Sequence, residues 1–340
     1  MKNDPLYICG TAVQAGEKIT FALPTPEIYS CAPMHIPMHI LHGKKKGPRV
    51  LICATLYGDE TNGIDIVHRL LNLSLLKKLR GTLICIPVMN VYGLINHTRY
   101  FPDGKDLANS FPGSQKGSFA SRLAHLFTSE VIDLMTHCIN IRCGASHIYK
   151  LPQVYYHPED QEATHLAQLF GAHLIRPSNE KTGFFYSEAG RPKCPTLIYE
   201  GGEAHRTDTY SAKMGVKGIV RVLKELDMIR LKPEPAKTST VTAQHSIWMR
   251  SPISGLFHFR KRVGQWVEKN QLVATVTDPF GTAKSVDIHA SENGVIGAIT
   301  THPHVYEGQG VMEICLSERQ LRPNFELEPL DVEAHLLEES

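Results

Sequence analysis

Two apolar runs near the start of the chain predict a sheet whose strands are covered on both faces. Residues 36–41 and 50–56 are almost continuously apolar, and the turn between them, residues 43–48, holds two glycines, three lysines and a proline. Uninterrupted apolar runs of this length suit strands that are buried on both sides. We therefore predict that the two runs form adjacent strands of a mixed sheet.

A helix and a further strand follow and complete a β-α-β unit. Asn62 is a residue type that caps helices, and an apolar stripe with helical spacing comes after it. Gly81 then precedes an apolar strand over residues 83–88. The stripe comprises Ile64, Val67, Leu70 and Leu71.

The same alternation of elements continues to residue 228 and predicts an α/β fold, a mixed sheet flanked by helices. Loops at the carboxyl ends of such strands usually form the site, which directs attention to residues 57–60 and 90–93. The irregular stretch 96–117 is too long for a simple connection, so we expect it to line the site. Further helices are predicted over 119–135, 165–170 and 211–228, and further strands over 138–144 and 196–202.

The pattern of apolar residues and glycines changes after a proline-containing linker at residues 232–238. Short strand-like segments separated by glycine turns follow, which is typical of an all-β region. We predict a first domain over residues 1–235, a small β-barrel domain over 236–325 and an acidic tail over 326–340. A length of 340 residues fits two domains.

Composition excludes several classes of partner. The net charge is +2, and no basic run is interleaved with aromatic residues, so we expect neither nucleic acid nor a membrane surface as partner. The polar N-terminus and the lack of a long apolar run predict a soluble chain without a signal peptide. The eight cysteines lack paired spacing, which favours reduced thiols and a cytoplasmic location.

The turn after the second strand has the form of a metal site that lacks a ligand. Positions 57 and 60 are spaced so that both side chains can reach one ion, and zinc takes imidazole and carboxylate readily but phenol rarely. Here the pair is Tyr57 and Glu60. One carboxylate alone makes a poor zinc site.

Taken together, the chain resembles the succinylglutamate desuccinylase/aspartoacylase family. The resemblance implies a zinc hydrolase with a carboxypeptidase-like domain followed by a small β-barrel. The resemblance rests on the order and spacing of these segments: residues 43–48, 58–63, 103–107, 110–113, 151–154, 251–256 and 277–281.

The resemblance also implies where the working residues of the family would fall. The first histidine ligand falls on Tyr57, the glutamate ligand on Glu60, and the second histidine ligand on Arg142. Glu200 matches the general base that would accept a proton from zinc-bound water.

The part of the family that holds the substrate carboxylate is altered as well. An Asn-Arg pair of the family falls on Ala108 and Asn109, whereas Arg99 upstream is retained. Arg99, Asn109, Arg142 and Tyr57 are therefore the candidate ligand-binding residues.

A metal-free site follows from these substitutions. A zinc hydrolase uses about three protein ligands, and here one remains while a permanently charged guanidinium stands at the position of another. We expect no resident cofactor, and zinc at Glu60 only if the chain is an active hydrolase. We also expect Arg142 to neutralise Glu60, Glu200 or both, because an unpaired buried carboxylate is costly.

Simpler roles remain open for each of these residues. Glu60 could be a carboxylate at a helix start, Glu200 an acceptor of backbone N–H groups, Arg142 a strand-end residue that reaches solvent, and Tyr57 a space-filling side chain. Cys143 beside Arg142 is expected to be an inert thiol. His35 and His39 share a strand face, but core or surface roles are favoured over a displaced metal site.

Two functions follow from these observations. The favoured one is a non-catalytic family member that binds a carboxylate-bearing small molecule or peptide. The alternative is an active metal-dependent amide hydrolase, a deacylase of an N-acyl amino acid, with an atypical site. The sequence leaves the oligomeric state open.

Overall fold

A computed structural model describes residues 2–26, 34–178, 194–231 and 240–317 of the chain. The predicted domain boundary at 235/236, the linker 232–238 and the tail 326–340 lie outside these residues. The helices are α1 (Asn62–Leu71), α2 (Val91–Ile95), α3 (Phe119–Glu130), α4 (Gln161–Phe170) and α5 (Thr209–Glu225), with short 3-10 turns at Ser74–Lys78, Ala108–Ser110 and Ile132–Leu134.

Nineteen strands are present in the described part of the chain. They are β1 (Leu6–Ile8), β2 (Thr11–Val13), β3 (Lys18–Pro24), β4 (His35–His42), β5 (Arg49–Ala54), β6 (Thr82–Ile86), β7 (His137–Gly144), β8 (Ile148–Tyr156), β9 (Leu174–Pro177), β10 (Thr196–Glu203), β11 (Val241–Thr242), β12 (His245–Arg250), β13 (Gly255–Phe259), β14 (Trp266–Val267), β15 (Leu272–Thr277), β16 (Val286–His289), β17 (Gly294–Thr300), β18 (His304–Val305) and β19 (Gly310–Leu316).

The main sheet is mixed, as the sequence predicts. Its strand order is β12-β19-β17-β8-β10-β7-β5-β6-β4-β3. The central strands β10, β7, β5 and β6 are parallel, whereas β8 and β4 run antiparallel to their neighbours β10 and β6. Parallel strands joined through helices place their carboxyl ends at one edge of the sheet.

The prediction that the first two apolar runs are adjacent is wrong, because β6 lies between β4 and β5. Strand β4 pairs with β6 and β5 pairs with the opposite edge of β6. The turn after β4 crosses the start of β6, where Gly43 N donates to Gly81 O at 2.8 Å and Gly81 N donates to Lys45 O at 2.9 Å. Gly81 has a φ of +72°, and a Cβ on Gly43 would lie 2.2 Å from Leu79 O, so this crossing requires glycine.

Helices cover both faces of the sheet and explain the continuous apolar runs. On one face α1, α4 and α5 pack over alternate residues of β5, namely Val50, Ile52 and Ala54. On the other face α3 packs over Leu51 and Cys53. Residues 50–54 of β5 are therefore buried on one side or the other, and the described part of the chain is a layered α/β structure.

Asn62 does not cap α1, contrary to the prediction from sequence. The residue before the helix is Thr61, which makes no capping hydrogen bond with its side chain. Asn62 is fully buried; its Nδ2 donates to Gly201 O at 3.3 Å and its Oδ1 accepts from Asp208 N at 2.9 Å. The side chain instead ties the start of α1 to the end of β10.

The C-terminal strands form an antiparallel region, as expected, and part of it joins the main sheet. Strand β17 pairs with β8 through Ala298 and Lys150, and with β19 on its other edge. A second sheet has the order β16-β15-β13-β18. Both sheets share one apolar core that is distinct from the two cores of the α/β part. None of the described helices has the length and hydropathy that a membrane crossing requires.

Candidate functional site

The carboxyl ends of β5, β7 and β10 bring the predicted site residues together. Glu200 of β10 lies opposite Arg142 of β7 in the parallel ladder, and Ala54 at the end of β5 lies opposite Ile141. The turn that carries Tyr57 and Glu60 leaves β5 at this same edge. Residues far apart in sequence therefore face one another for a topological reason.

The turn after β5 folds tightly back on itself. Glu60 N donates to Tyr57 O at 3.1 Å, and Tyr57 N donates to Glu60 Oε2 at 3.2 Å. Thr55 has a φ of +52°, and its hydroxyl donates to Glu60 O at 3.1 Å. A Cβ on Gly58 would lie 1.9 Å from the backbone of Gly93, so the turn is seated directly against α2. This packing fixes the direction of the Glu60 side chain.

Glu60 is buried and faces a cation. Its side chain is 3% exposed, and Arg142 Nε donates to Glu60 Oε1 at 3.4 Å. Burial raises the pKa of Glu60 to about 7, although Arg142 and the backbone N–H of Tyr57 oppose the shift. Its hydrogen bonds lie within the turn and to Arg142, so it is more than a carboxylate at a helix start.

Arg142 points into the site and does not extend into solvent. Burial by itself would lower the pKa of Arg142, but Glu60, Tyr57 and Glu200 raise it above its ordinary value. The guanidinium therefore stays charged. Its central carbon lies 4.8 Å from the centre of the Tyr57 ring, within the range of a cation–π contact.

Tyr57 contacts two guanidinium groups and is more than a space-filling side chain. The central carbon of Arg99 lies 3.6 Å from the centre of the Tyr57 ring, closer than that of Arg142. The ring is buried, and burial raises the pKa of its hydroxyl, which stays protonated at neutral pH. The electron-rich faces of this ring therefore help to hold both cations.

Arg99 belongs to a second, more open group of side chains. Arg99 Nη2 donates to Asp106 Oδ2 at 3.2 Å, and the Arg99 side chain is 40% exposed. Asp106 also accepts from Ala108 N at 2.8 Å and from Asn109 Nδ2 at 3.3 Å. Asn109 thus lies near Arg99 through a shared carboxylate and is itself exposed.

Glu200 is paired with a lysine that the sequence analysis did not identify. Lys150 Nζ donates to Glu200 Oε2 at 2.8 Å, and Tyr155 also donates to this carboxylate. Burial would raise the pKa of Glu200, but Lys150, Arg142 and the two hydrogen bonds together hold it below its ordinary value. The expected contact between Arg142 and a glutamate is therefore found at Glu60, whereas Lys150 binds Glu200.

A buried network extends from Glu200 toward the C-terminal strands. Tyr155 hydroxyl accepts from Arg176 Nη1 at 3.2 Å, and the same nitrogen donates to Glu313 Oε1 at 2.9 Å. Arg176 Nη2 donates to Ser246 Oγ at 2.7 Å. Glu313 and Ser246 belong to β19 and β12, so this arginine connects the candidate site to the C-terminal part of the sheet.

Lys150 and Arg176 were missed because their partners are distant in sequence. Lys150 lies on β8, an antiparallel strand that the periodicity did not delimit, 50 residues before Glu200. A lysine at the third position of a largely apolar and aromatic strand was the one available signal. Asp106 lies within the predicted site-lining loop 96–117 and could have been noticed there as an acidic residue near Arg99.

Fold and site together define a layered α/β protein with a charged site at the carboxyl ends of parallel strands. The family model of the succinylglutamate desuccinylase/aspartoacylase catalytic domain matches residues 46–226, which is more than half of the chain. The chain belongs to this family. The matched range contains Tyr57, Glu60, Arg142 and Glu200.

Relatives extend the likeness beyond the catalytic domain. The chain is 23% identical over 275 residues to the N-alpha-acetyl-L-2,4-diaminobutyric acid deacetylase of Halomonas elongata, covering 77% of this chain and 80% of that protein. A succinylglutamate desuccinylase/aspartoacylase from Rhodobacter sphaeroides superposes with a TM-score of 0.77 at 21% identity, over 88% of this chain and 96% of that one.

A third similar protein has been solved with a bound product. The ectoine utilization protein EutE (DoeB) from Ruegeria pomeroyi, solved in a product-bound form, superposes with a TM-score of 0.76 at 19% identity. The superposition covers 88% of this chain and 95% of that one. At these identities the structural likeness establishes the shared fold.

The side chains present do not fit the zinc ion that the resemblance implies. Among the residues that the structure describes, no group of three or more His, Cys, Asp or Glu side chains could hold a metal ion. Glu60 is the one carboxylate at the ligand positions, and a guanidinium lies against it. Burial raises the pKa of Cys143 well above its ordinary value, which agrees with an inert thiol. His39, which was considered above for a displaced metal site, contacts the Thr20 hydroxyl through Nδ1 at 3.0 Å.

Proposed function

We propose that this protein binds a carboxylate-bearing small molecule or peptide end without hydrolysing it. The observation that carries the proposal is the contact of 3.4 Å between Arg142 Nε and Glu60 Oε1. A guanidinium stays protonated at every physiological pH. The carboxylate that would ligate a metal ion therefore faces a fixed positive charge, which repels a dication.

The state of Glu200 supports the same proposal. A general base must be free to accept a proton from water. Lys150 Nζ lies 2.8 Å from Glu200 Oε2, and Lys150 and Arg142 hold the pKa of this carboxyl below its ordinary value. Glu200 is thereby a weaker base than an unpaired glutamate, and the ion pair would have to open before it could act.

Two guanidinium groups that contact the Tyr57 ring supply the recognition. Within the described residues, Arg142 uses Nε for Glu60 and Arg99 uses Nη2 for Asp106. Further N–H groups of both arginines can therefore bind a ligand carboxylate in the forked geometry that arginine favours. Arg99 is the more exposed of the two, so we assign it the first contact with the ligand.

A second candidate function is hydrolysis of an N-acyl amino acid at an atypical metal site. Two observations favour it: Glu200 is held ionised at the position of the family's base, and the Halomonas elongata relative is named as a deacetylase. In this alternative the contact between Glu60 and Arg142 would have to break before Glu60 could bind a metal ion.

Elemental analysis combined with ligand-induced stabilisation distinguishes the two functions. We expect substoichiometric zinc in the purified protein, and a rise in unfolding temperature with an N-acyl amino acid or short peptide. Stabilisation reaches about 2.7 kcal/mol at a hundredfold excess over the dissociation constant. The Arg99→Gln variant should lose this shift while keeping its own melting temperature close to that of the parent.

Rebuilding the ligand set provides a matched control for the elemental analysis. The double variant Tyr57→His, Arg142→His restores two imidazoles beside Glu60, and we expect it to bind one zinc ion per chain. Adding Glu60→Ala to that variant should abolish the binding. Stoichiometric zinc in the unmodified protein, lost on Glu60→Ala, would overturn the proposal in favour of the hydrolase.

A further inference from the structure

Two cysteines that are far apart in sequence lie side by side at the start of the two central strands. Cys138 is in β7, and Cys194 comes two residues before the first residue of β10. Their sulfur atoms are 3.4 Å apart. Pro195 O accepts from Cys138 N at 3.0 Å, so backbone pairing holds the two segments together at this point.

The environments of the two thiols differ. Cys138 is buried, whereas Cys194 is partly exposed. A hydrogen bond with Cys138 lowers the pKa of the Cys194 thiol, while burial and the contact with Cys194 raise the pKa of Cys138 well above its ordinary value. One sulfur is therefore reachable and more readily ionised than an ordinary thiol, and the other remains a protonated neighbour, the usual division between an attacking and a resolving thiol.

We propose that Cys138 and Cys194 form a reversible disulfide when the protein meets a peroxide. A disulfide bond is about 2.05 Å long, so the sulfur atoms must approach by roughly 1.4 Å from their present separation of 3.4 Å. Cys194 lies just outside β10, and its movement leaves the ladder between β7 and β10 intact. The proposal does not depend on the function proposed above.

The chemistry balances with one equivalent of hydrogen peroxide. The Cys194 thiolate attacks one peroxide oxygen and the O–O bond breaks, which forms a sulfenic acid on Cys194. The other peroxide oxygen takes up the proton that the thiol had lost and leaves as water. Cys138 sulfur then attacks Cys194 sulfur, the S–O bond breaks, and a second water leaves with the Cys138 proton. Two thiols are oxidised and one peroxide is reduced to two waters.

Peptide mapping of the full-length protein tests the proposal. The protein is treated with stoichiometric hydrogen peroxide at pH 8, free thiols are alkylated, and the digest is analysed by mass spectrometry without reduction. We expect one cross-linked peptide pair that contains Cys138 and Cys194, which disappears on treatment with dithiothreitol. In the Cys194→Ser variant the cross-link should be lost, while Cys138 stays alkylatable only after unfolding because it is buried.

Cys9 provides an internal control for simple exposure. It is also partly exposed, but burial and Glu130 raise its pKa to about 11. The thiolate is the reactive form, so Cys194 should be oxidised at least about tenfold faster than Cys9 at pH 8. A disulfide between Cys194 and any other cysteine, or oxidation of Cys9 while Cys138 and Cys194 stay reduced, would overturn the proposal.

Discussion

Arg142 lies on β7 at the position where the family resemblance implies a histidine ligand, and its guanidinium reaches Glu60. Arg142 lies in register opposite Glu200 in the ladder between β7 and β10, so its charge is placed at the carboxyl ends of these strands. Tyr57 accommodates the change because its ring faces both Arg142 and Arg99. At the scale of single residues, a guanidinium lies against the buried carboxylate that the family resemblance assigns to a metal ligand.

The pairing of Arg142 and Glu60 can be measured with a double-mutant cycle. Arg142→Met leaves a buried carboxylate without its cation, and breaking a buried pair in this way costs about 3–5 kcal/mol. The double variant Arg142→Met, Glu60→Gln should recover most of that loss, because no charge is then left unpaired. The free energy of unfolding of the four proteins in urea checks this expectation, and additive effects of the two substitutions would contradict the pairing.

Single residues were predicted with uneven success, for a physical reason. The family resemblance assigns Glu60, Arg142 and Glu200 to the site, and one edge of a parallel sheet brings these positions together. The same reasoning could not find Lys150, because its contact with Glu200 depends on an antiparallel strand and a register that no local pattern encodes. Burial and charge partners depend on tertiary structure.

At the scale of elements, close approaches of the backbone decide where the site residues lie. The turn after β5 rests against α2, where Gly58 meets the backbone of Gly93. Asn62 then ties the start of α1 to the end of β10. These contacts connect α2, α1 and β10 around Glu60. None of them involves an atom of Glu60 itself.

Substitution of Gly58 tests how tightly this turn is held. A Cβ at Gly58 would lie 1.9 Å from a backbone carbon of Gly93, which no rotamer change can relieve. We expect Gly58→Ala to cost about 3 kcal/mol or more through overpacking, measured as the free energy of unfolding in urea. Gly104→Ala is the matched control: its φ is +71° and no atom lies within 4 Å of the added Cβ, so only backbone strain is introduced. Equal losses in the two variants would contradict the role of close packing.

The strands themselves follow from the sequence more readily than their neighbours in the sheet. Continuous apolar runs correctly predict β4 and β5 as strands. Strand β5 is buried on both faces, whereas β4 buries Ile36, Met38 and Ile40 on one face and leaves Pro37 and His39 half-buried on the other. Their order does not follow, because the crossing of the turn at Gly43 over Gly81 inserts β6 between them. Asn62 shows the same limit, since a polar residue at a helix start caps only if no buried partner competes for it.

At the scale of the whole molecule, the C-terminal strands and the α/β part share one sheet. Lys150 illustrates the consequence, because its backbone pairs with Ala298 of β17 while its side chain binds Glu200. Arg176 adds a second connection through Glu313 and Ser246. The candidate site therefore depends on both parts of the chain.

The contribution of Arg176 to this connection can be tested by its removal. Its ion pair with Glu313 is buried, with side chains 13% and 4% exposed. Arg176→Met should cost about 3–5 kcal/mol by leaving Glu313 unpaired, with faster hydrogen exchange in β12 and β19. Lys269→Met, which breaks an exposed pair with Glu292, should change stability by less than about 1 kcal/mol. Unchanged exchange in both strands would contradict the connection.

The pairing of β17 with β8 also limits how the chain can be divided. A fragment that ended at the linker would leave the first three residues of β8, residues 148–150, with unbonded N–H and C=O groups along one side. Uncovered strand edges recruit strands from other molecules. The α/β part expressed alone should therefore self-associate, and a stable division of the chain would have to keep β17 with β8.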